Sequence, residues 1–391
     1  MNIVLFDTET RKKLFPLTLT RAIADLRMGI LTMKERWEKM TGFEAFVLTE
    51  PYLQPSYKKF PAGEYIFIDA CIIPTAGLVR NILGLKINEA YKDESGFIAG
   101  RFIIEEAVTA NTVSSLVKNV SSLSLVKRLS FPIELFQWNH EMIELDFALL
   151  TKGKISNNTN DTVHVSTPSK VFIEDGATIN HSILNASTGP IYIGKNATIM
   201  EGCFIRGPFT LGEGAVLKMG TKIYGATTIG PYCMGGGEIK NSIITGYSNK
   251  AHDGYLGDSV IGEWCNMGAG TSNSNLKNTG GEVALWNYYA NAFLPSGNKC
   301  GVIMGDYSRT AINSSINTAS VIGVSSNVFG AGLLPKFIPD FTWGCSSENR
   351  YEFEKAIKDI DNWKKMKNKT ISAQETQVLK HIFELSGKKN L

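Results

Sequence analysis

The chain has 391 residues, of which 43% are hydrophobic and 20% are charged, and its formal net charge is +3. This is the composition of an ordinary globular protein, and the length suits two domains and a tail. The near balance of charge argues against nucleic acid as the main partner, and no apolar run reaches the roughly 18 residues of a membrane span.

The six cysteines are scattered, with no Cys-x-x-Cys pair. This spacing argues against a zinc site or a disulfide framework and fits a reducing compartment. The N-terminal residues MNIVLFDTET lack the basic region and long apolar core of a signal peptide. Together these features predict a cytoplasmic protein without a membrane anchor.

The first part of the chain alternates strand-like and helix-like segments. Short buried runs at 3–7, 45–49 and 64–74 have the composition of strands, while 21–40 and 78–83 carry apolar residues at helical spacing. Such alternation predicts an α/β domain with a mostly parallel sheet over residues 1–151. The polar stretch at 152–162 is then a linker.

A six-residue repeat follows the linker. Every sixth residue from Ile193 to Ile229 is aliphatic, and the same register returns at Ile261 and between Met304 and Val328. One aliphatic residue per six is typical of a parallel β-helix, in which each short strand turns one side chain inwards. A β-sandwich would instead show period-two alternation over longer runs. We therefore predict a β-helix over 163–343.

The tail, residues 344–391, has the pattern of two helices. The second begins at Ser372, and Glu375 three residues later completes a capping-box signature.

A glycine-rich segment from Lys250 to Gly270 interrupts the repeat and adds His252. Histidine has a pKa suited to a general base, and Asp253 or Asp258 would orient it. The backbone N–H groups of GAGT (268–271) can stabilise a developing oxyanion. The alternative is a repeat corner with a solvated histidine.

Residues 238–278 resemble the acetyltransferase half of the GlmU-like family, bifunctional enzymes that make UDP-N-acetylglucosamine. In that family a His precedes YLGD or YIGD, then IG, N-x-GAGT and an Asn. The corresponding positions here are His252, 255–258, 261–262, Asn266, 268–271 and Asn275. The layout is that of a short family member with a nucleotidyltransferase-like N-terminal domain, a left-handed parallel β-helix and C-terminal helices.

The resemblance implies a homotrimer that uses acetyl-CoA and a sugar 1-phosphate, with UTP as a further substrate. It assigns His252 as the base, Ala269 N–H to the oxyanion and Asn275 to the substrate amine. The implied substrate-binding residues are Lys240, Tyr255, Asn266 and Lys222. Counting back one regular coil from Lys240 reaches Lys222, where the family has an Arg.

Two features depart from the family pattern. Only Lys277 follows Asn275 closely, and an insertion at 280–301 carries aromatic residues that would either cap the site or pack between subunits.

The N-terminal domain departs further from the family. Its KLFPLT (13–18) resembles the family's RxxPLT, but the phosphate-binding glycines are replaced by DTE. Asp69, at the end of a predicted strand, is the candidate Mg²⁺ ligand. The alternative is a solvated charged face around a degenerate domain. The candidate nucleotide-binding residues are Arg11, Lys13, Arg21, Arg27 and Lys34.

Two functions are therefore in view. One is a bifunctional enzyme that acetylates glucosamine 1-phosphate and then transfers a uridylyl group from UTP with Mg²⁺. The other is an acetyltransferase whose N-terminal domain only binds nucleotide or acts as a scaffold. A β-helix carbonic anhydrase is disfavoured, because none of the other four histidines lies near His252 at a suitable spacing for zinc.

Overall fold

The computed structural model describes residues 2–106, 108–117, 119–346 and 348–388. The chain forms two compact units. One comprises the chain up to Leu14, Thr20–Leu26 and Leu31–Phe131, and the other comprises Phe15–Leu19, Arg27–Ile30 and the chain from Pro132 onwards. The last three residues of the predicted tail, 389–391, lie outside the described residues.

The first unit is built on a six-stranded mixed sheet with the order β2-β1-β3-β5-β4-β6. β1 pairs in parallel with β2 and β3, whereas β5 pairs antiparallel with β3 and β4. The strands are β1 (Asn2–Phe6), β2 (Ala45–Leu48), β3 (Gly63–Asp69), β4 (Glu89–Asp93), β5 (Gly96–Ile104) and β6 (Asn119–Ser122). The α-helices are α1 (Thr10–Lys13), α2 (Met33–Thr41) and α3 (Ala76–Leu83), and 3-10 turns occupy Ile23–Asp25, Gln54–Ser56 and Ala110–Leu116.

The single helix predicted over residues 21–40 is wrong. Gly29 adopts φ +80°, which an α-helix cannot accommodate, and helix α2 begins only after Thr32. Thr32 and Glu35 form a capping box, in which the Thr32 hydroxyl accepts from Glu35 N and the Glu35 carboxylate accepts from Thr32 N. The start signal is therefore present in the sequence, inside the apolar stripe that suggested a longer helix.

The second unit contains the parallel β-helix, with three long faces. The first face comprises β7 (His164–Ser166), β10 (Ile183–Asn185), β13 (Phe204–Arg206), β16 (Lys222–Tyr224), β19 (Glu238–Lys240) and β22 (Tyr255–Gly257). The second comprises β8 (Val171–Ile173), β11 (Ile191–Ile193), β14 (Phe209–Leu211), β17 (Thr227–Ile229), β20 (Ile243–Ile244), β23 (Val260–Ile261), β28 (Val302–Met304), β31 (Ser320–Ile322) and β33 (Phe337–Ile338). The third comprises β9 (Thr178–Ile179), β12 (Thr198–Ile199), β15 (Val216–Leu217), β18 (Met234–Gly235), β21 (Asn249–Lys250), β24 (Asn266–Met267), β29 (Arg309–Thr310) and β32 (Asn327–Val328).

The inward side chains of the three faces form one continuous apolar core. The residues that carried the predicted repeat, from Ile193 through Ile229 to Val328, belong to it and are buried. Burial of aliphatic area is the main favourable term for such a fold. The predicted fold class, an α/β nucleotidyltransferase-like domain followed by a left-handed parallel β-helix and C-terminal helices, is confirmed.

The insertion at 280–301 packs on its own chain. It forms an antiparallel hairpin of β26 (Ala284–Asn287) and β27 (Ala292–Pro295), set between the short strand β25 (Ser272–Asn273) and β28. The Trp286 ring stacks on Phe337 at 4.6 Å, and the Tyr288 hydroxyl donates to Asp340 Oδ1 at 3.3 Å. These two aromatic side chains therefore pack against a later coil of the same β-helix.

The helices of the second unit lie before and after the β-helix. α4 (Ile133–Gln137) and α5 (Asn139–Thr151) belong to this compact unit, although the predicted boundary at residue 151 assigns them to the first domain. A 3-10 turn occupies Pro168–Lys170, and β25 pairs with β30 (Ser315–Ile316). The tail forms α6 (Phe353–Lys365) and α7 (Ala373–Lys388), and Ser372 and Glu375 make the predicted capping box. Among the described helices, none has the length and apolar character that crossing a bilayer requires.

Candidate active site

The two predicted catalytic positions His252 and Ala269 lie on stacked corners of the β-helix. Residues 251–254 link β21 to β22, and residues 268–271 link β24 to β25 one coil later. Gly270 N donates to Asp253 O at 3.1 Å, which holds the two corners together. A Cβ on Gly254 would lie 2.2 Å from Thr271 O, so only glycine permits this approach.

The functional groups on these corners are accessible. The His252 side chain is exposed, and its imidazole forms no hydrogen bond or ion pair with the described residues. The Ala269 N–H likewise has no recorded partner among the described residues, while Ala269 O accepts from Asn313 N at 2.7 Å. A base and an oxyanion donor are thus available on neighbouring corners.

A hydrogen-bonded network joins Tyr255 and Asn275 beside these corners. Asn275 Nδ2 donates to the Tyr255 hydroxyl at 3.1 Å and to Asp258 Oδ2 at 2.5 Å. Asn241 Nδ2 donates to Asp258 Oδ1 at 2.6 Å. Because both donors of the Asn275 amide are used, its Oδ1 remains as an acceptor for a substrate N–H.

The two aspartates that were expected to orient His252 have other contacts in the structure. Asp258 was one of two groups expected to orient His252, but its buried carboxylate accepts from Asn241 and Asn275 instead. At Asp253 it is the backbone carbonyl that accepts hydrogen bonds, from Gly270 N and from Lys250 Nζ. Asp258 therefore fixes the amide of Asn275.

Burial is the main cause that raises the pKa of Tyr255 to about 12, and the charges of Asp258 and Glu238 add to the effect. Tyr255 is therefore a neutral hydrogen-bonding group at physiological pH. Its ring lies over Gly257, where a Cβ would be 2.2 Å from the hydroxyl oxygen. The glycine of the YLGD motif thus makes room for the tyrosine.

The predicted phosphate anchors lie on the first face. Lys240 and Lys222 are exposed, but the register expected between them is wrong: Lys222 pairs with Glu238, and Tyr224 pairs with Lys240. The coil from Lys222 to Glu238 advances 16 residues, whereas the preceding coil from Phe204 to Lys222 advances 18. Lys222 lines an open groove together with Phe204, Arg206 and Tyr224.

Two further positions lie outside this network. Asn266 is on the third face, where its Oδ1 is 3.5 Å from Asn249 Nδ2 and Lys367 contacts the same Asn249 side chain at 3.2 Å. The Lys277 ammonium, the nearest lysine after Asn275, donates to the carbonyl of Glu282. The chain by itself therefore brings Tyr255 and Asn275 together but leaves Asn266 on another face.

In the first unit, Arg11 is buried beside the end of β1. Its Nε lies 3.4 Å from Asp7 Oδ2, and Nη2 donates to the Tyr52 hydroxyl at 2.6 Å. Asp7 also accepts from Thr49 Oγ1 and from Ile23 N. Arg11, a candidate nucleotide ligand, is thus part of an internal network.

Asp69 ends β3 as predicted, at the same edge of the sheet. Its carboxylate pairs with Arg128, which also donates to Asp93 at 3.1 Å, and accepts from Cys71 N at 3.0 Å. A role in binding Mg²⁺ would require the pair with Arg128 to open. Within the described ranges, no cluster of three His, Cys, Asp or Glu side chains is arranged to hold a metal ion.

The other candidate nucleotide ligands are partly buried basic residues. Lys34 lies 3.8 Å from Glu38 on helix α2, and Arg27 donates to the Ile30 carbonyl. Lys13 ends helix α1, and Arg21 precedes the 3-10 turn at Ile23–Asp25.

One residue of the site escaped the sequence analysis. Lys250 is 2% exposed and points into the β-helix at the end of β21. The signal was present, because Lys250 occupies the six-step position between Ile244 and Leu256 that should be aliphatic. A lysine at an inward position of the repeat is the kind of departure that marks a functional segment.

Residues 3–155 match a family model described as sugar nucleotidyl transferase. The "Bifunctional protein GlmU" of Synechococcus elongatus is 28% identical over 168 residues, which are 43% of this chain and 29% of that protein. That of Methanococcus vannielii is 35% identical over 97 residues, 25% of this chain and 23% of that protein. The chain thus covers less than a third of the length of these relatives.

A solved structure of Arabidopsis UDP-N-acetylglucosamine acyltransferase is 16% identical and covers 47% of this chain and 69% of that chain, with a TM-score of 0.26. The sequence matches confirm the resemblance to GlmU-like proteins.

The buried Asp7 predicts a pH-dependent stability of the first unit. Burial is the main cause that raises its pKa from 3.8 to about 7, against the opposing charge of Arg11. The folded protein then binds a proton that the unfolded chain has released, so this contribution to stability is present below about pH 4 and is lost as the pH rises towards 7. Between pH 4.5 and 7.5, urea unfolding should show the wild type losing roughly 1–4 kcal/mol more than Asp7→Asn. A difference between the two proteins that does not change with pH would contradict this assignment.

Proposed function

We propose that this chain is a cytoplasmic enzyme of sugar-nucleotide biosynthesis that transfers an acetyl group from acetyl-CoA to the amine of glucosamine 1-phosphate. One observation carries the proposal. The stacked corners put His252 and the Ala269 N–H one coil apart, next to the Tyr255–Asn275 pair. The resemblance to GlmU-like proteins supports the choice of substrates.

Each residue has a distinct task in this reaction. His252 accepts the proton that the substrate ammonium must lose before its nitrogen can attack the thioester carbonyl. The Ala269 N–H donates to the carbonyl oxygen as it becomes an oxyanion. The intermediate then breaks its C–S bond, and the departing thiolate takes the second proton of the amine, which releases CoA as the thiol and leaves the N-acetyl sugar.

Positioning groups complete the site. Asn275 Oδ1 accepts from the sugar amine, because Asp258 and Tyr255 occupy its two donors. Lys240 and Lys222, exposed on the first face, attract the sugar phosphate, and Tyr255 donates to it as a neutral phenol. Holding the amine against the thioester supplies much of the acceleration in such reactions.

We further propose that the N-terminal half transfers a uridylyl group from UTP to N-acetylglucosamine 1-phosphate, with Mg²⁺, to give UDP-N-acetylglucosamine. The match of residues 3–155 to the sugar nucleotidyl transferase model supports this step. The basic residues Arg11, Lys13, Arg21, Arg27 and Lys34 are the proposed phosphate ligands, and Asp69 is the proposed metal ligand.

A second candidate is favoured by a specific observation. Arg11 and Arg128 are each paired with buried carboxylates, Asp7 and Asp69, at the edge of the sheet where a nucleotide and its metal are expected. Residues already paired in this way bind a triphosphate less readily. In this alternative the β-helix carries the only reaction, and the N-terminal domain binds nucleotide without turnover or acts as a scaffold.

One assay separates the two candidates. Purified protein is mixed with glucosamine 1-phosphate, acetyl-CoA, UTP and Mg²⁺, and CoA and pyrophosphate release are followed separately. Release of both products supports the bifunctional enzyme, whereas CoA alone, with no pyrophosphate from N-acetylglucosamine 1-phosphate either, supports the scaffold. Lys34→Ala should reduce only pyrophosphate release, while Lys39→Ala, an exposed lysine on the same helix, should not.

Assembly is a separate expectation. Lys240 and Tyr255 lie on the first face and Asn266 on the third, so a neighbouring copy is needed to join the two sets in one site. Flat β-helix faces suit such packing, and we propose a homotrimer. Light scattering at assay concentration should give a trimer mass. A monomer with full acetyl transfer activity would contradict this proposal.

The base is tested by His252→Ala, which should lower the acetylation rate by about 10²–10⁴-fold, the usual contribution of a general base. The melting temperature should change little because the side chain is exposed. Lys240→Ala should instead raise KM for glucosamine 1-phosphate. His181→Ala is the matched control, since His181 is an exposed corner histidine on the same edge, four coils earlier. An unaltered rate in His252→Ala would contradict this role and favour the alternative, in which the segment is a repeat corner with a solvated histidine.

A further inference from the structure

The β-helix has one lysine at an inward position next to the candidate site. Along the third face Leu217 pairs with Gly235, and Gly235 pairs with Lys250. Lys250 is among the largest fully buried side chains of the protein. An ammonium group in an apolar core is strongly unfavourable unless it is hydrogen-bonded.

Backbone carbonyls satisfy this ammonium group. Lys250 Nζ donates to Gly236 O at 3.2 Å, to His252 O, and to Asp253 O at 3.4 Å. The three donors of the ammonium therefore meet three acceptors. Burial lowers the pKa of Lys250 to about 8, partly offset by the charge of Asp253, so the group is mainly protonated at neutral pH.

The three carbonyls belong to two corners that touch. Gly236 is in the corner after β18, and His252 and Asp253 are in the corner after β21. The corners are so close that a Cβ on Gly236 would lie 2.3 Å from Ala251 O. Lys250 thus ties the backbone immediately after His252 Cα to the preceding coil.

The position of the His252 imidazole depends on this backbone. Within the described part of the chain the ring has no recorded partner that could orient it, whereas the carbonyl of the same residue is bound by Lys250. We propose that Lys250 is a positioning residue whose ammonium group holds the 251–254 corner, and thereby the His252 base, in the geometry for acetyl transfer. The catalytic part of this inference rests on the proposed function.

The competing explanation is that Lys250 only fills the core. Neighbouring six-step positions are occupied by Ile244 and Leu256, so an apolar residue at 250 is compatible with the coil. Lys250→Met keeps the length of the side chain and removes its donors. If Lys250 were only a filler, this variant would keep both the corner and the activity.

The first measurement does not depend on activity. Hydrogen exchange is followed in the wild type, in Lys250→Met and in Ile244→Met, the matched core substitution at the preceding six-step position. Amides of 251–254, and Gly270 N–H that donates to Asp253 O, should exchange about 10- to 100-fold faster in Lys250→Met, as loss of hydrogen bonds from a charged group implies. Ile244→Met should leave them unchanged. Unchanged exchange in Lys250→Met would overturn the proposal.

The second measurement is a double-mutant cycle on acetyl transfer. Lys250→Met should lower kcat by about 10- to 100-fold with little change in KM for glucosamine 1-phosphate, and it should cause no further loss in a His252→Ala background. Lys250→Gln, which retains two donors, should recover part of the rate. Additive losses would overturn the positioning role.

The two proposals fail in different ways. If His252→Ala leaves the acetylation rate unchanged, the proposed base is wrong, while the exchange data still decide whether Lys250 holds the corner. Should Lys250→Met fail to fold, the same exchange comparison is made with Lys250→Gln, and corner protection and a kcat between those of the wild type and those of Lys250→Leu support the proposal. Protection and kcat in Lys250→Gln that match a fully donor-free Lys250→Leu would overturn it.

Discussion

Every strand of the β-helix must turn one side chain into a core that is continuous from coil to coil. Aliphatic side chains meet this demand along most of the chain, from Ile193 to Val328. Lys250 and Asn273 are polar residues at inward positions near the candidate site. Lys250 binds three carbonyls, and Asn273 pairs with Gly257 through Gly257 N to Oδ1 at 2.9 Å and Nδ2 to Gly257 O at 3.0 Å. Because a buried polar group must be satisfied, each of these side chains fixes the backbone around it.

The corners differ between the edges of the β-helix. The C-terminal tail covers one edge, whereas another is accessible to solvent. Between the second and third faces, Tyr232, Tyr247 and Trp264 all have positive φ, and their rings stack at 5.1 and 4.4 Å. The tail covers this edge, with the Lys364 ammonium 4.9 Å from the centre of the Trp264 ring. At the edge between the third and first faces, small corner residues let the coils approach closely and leave His252 exposed.

The first unit follows a different principle. The ends of β1 and β3 carry carboxylates, as is usual at the edge of a nucleotide-binding sheet. Here arginines of the same chain contact those carboxyl groups, with Arg11 beside Asp7 and Arg128 beside Asp69. Both carboxyl groups at this edge therefore already have partners within the chain. A phosphate or metal that binds there must compete with these existing contacts.

Local patterns in the amino-acid sequence were sufficient for the β-helix, the capping box of the last helix and the position of Asp69 at a strand end. These features depend on a short repeat or on neighbours along the chain. They can therefore be recognised in the sequence without knowledge of tertiary contacts. The break at Gly29 and the short coil between Lys222 and Glu238 were missed, since an apolar stripe and a mean period do not reveal a local exception. Folding alone decided which acceptor each polar group found. Asp258 binds Asn275, Arg11 lies beside Asp7, and Lys250 binds the His252 corner. These partners are 2 to 17 residues apart, and the stacking of coils and strands brings their polar groups together.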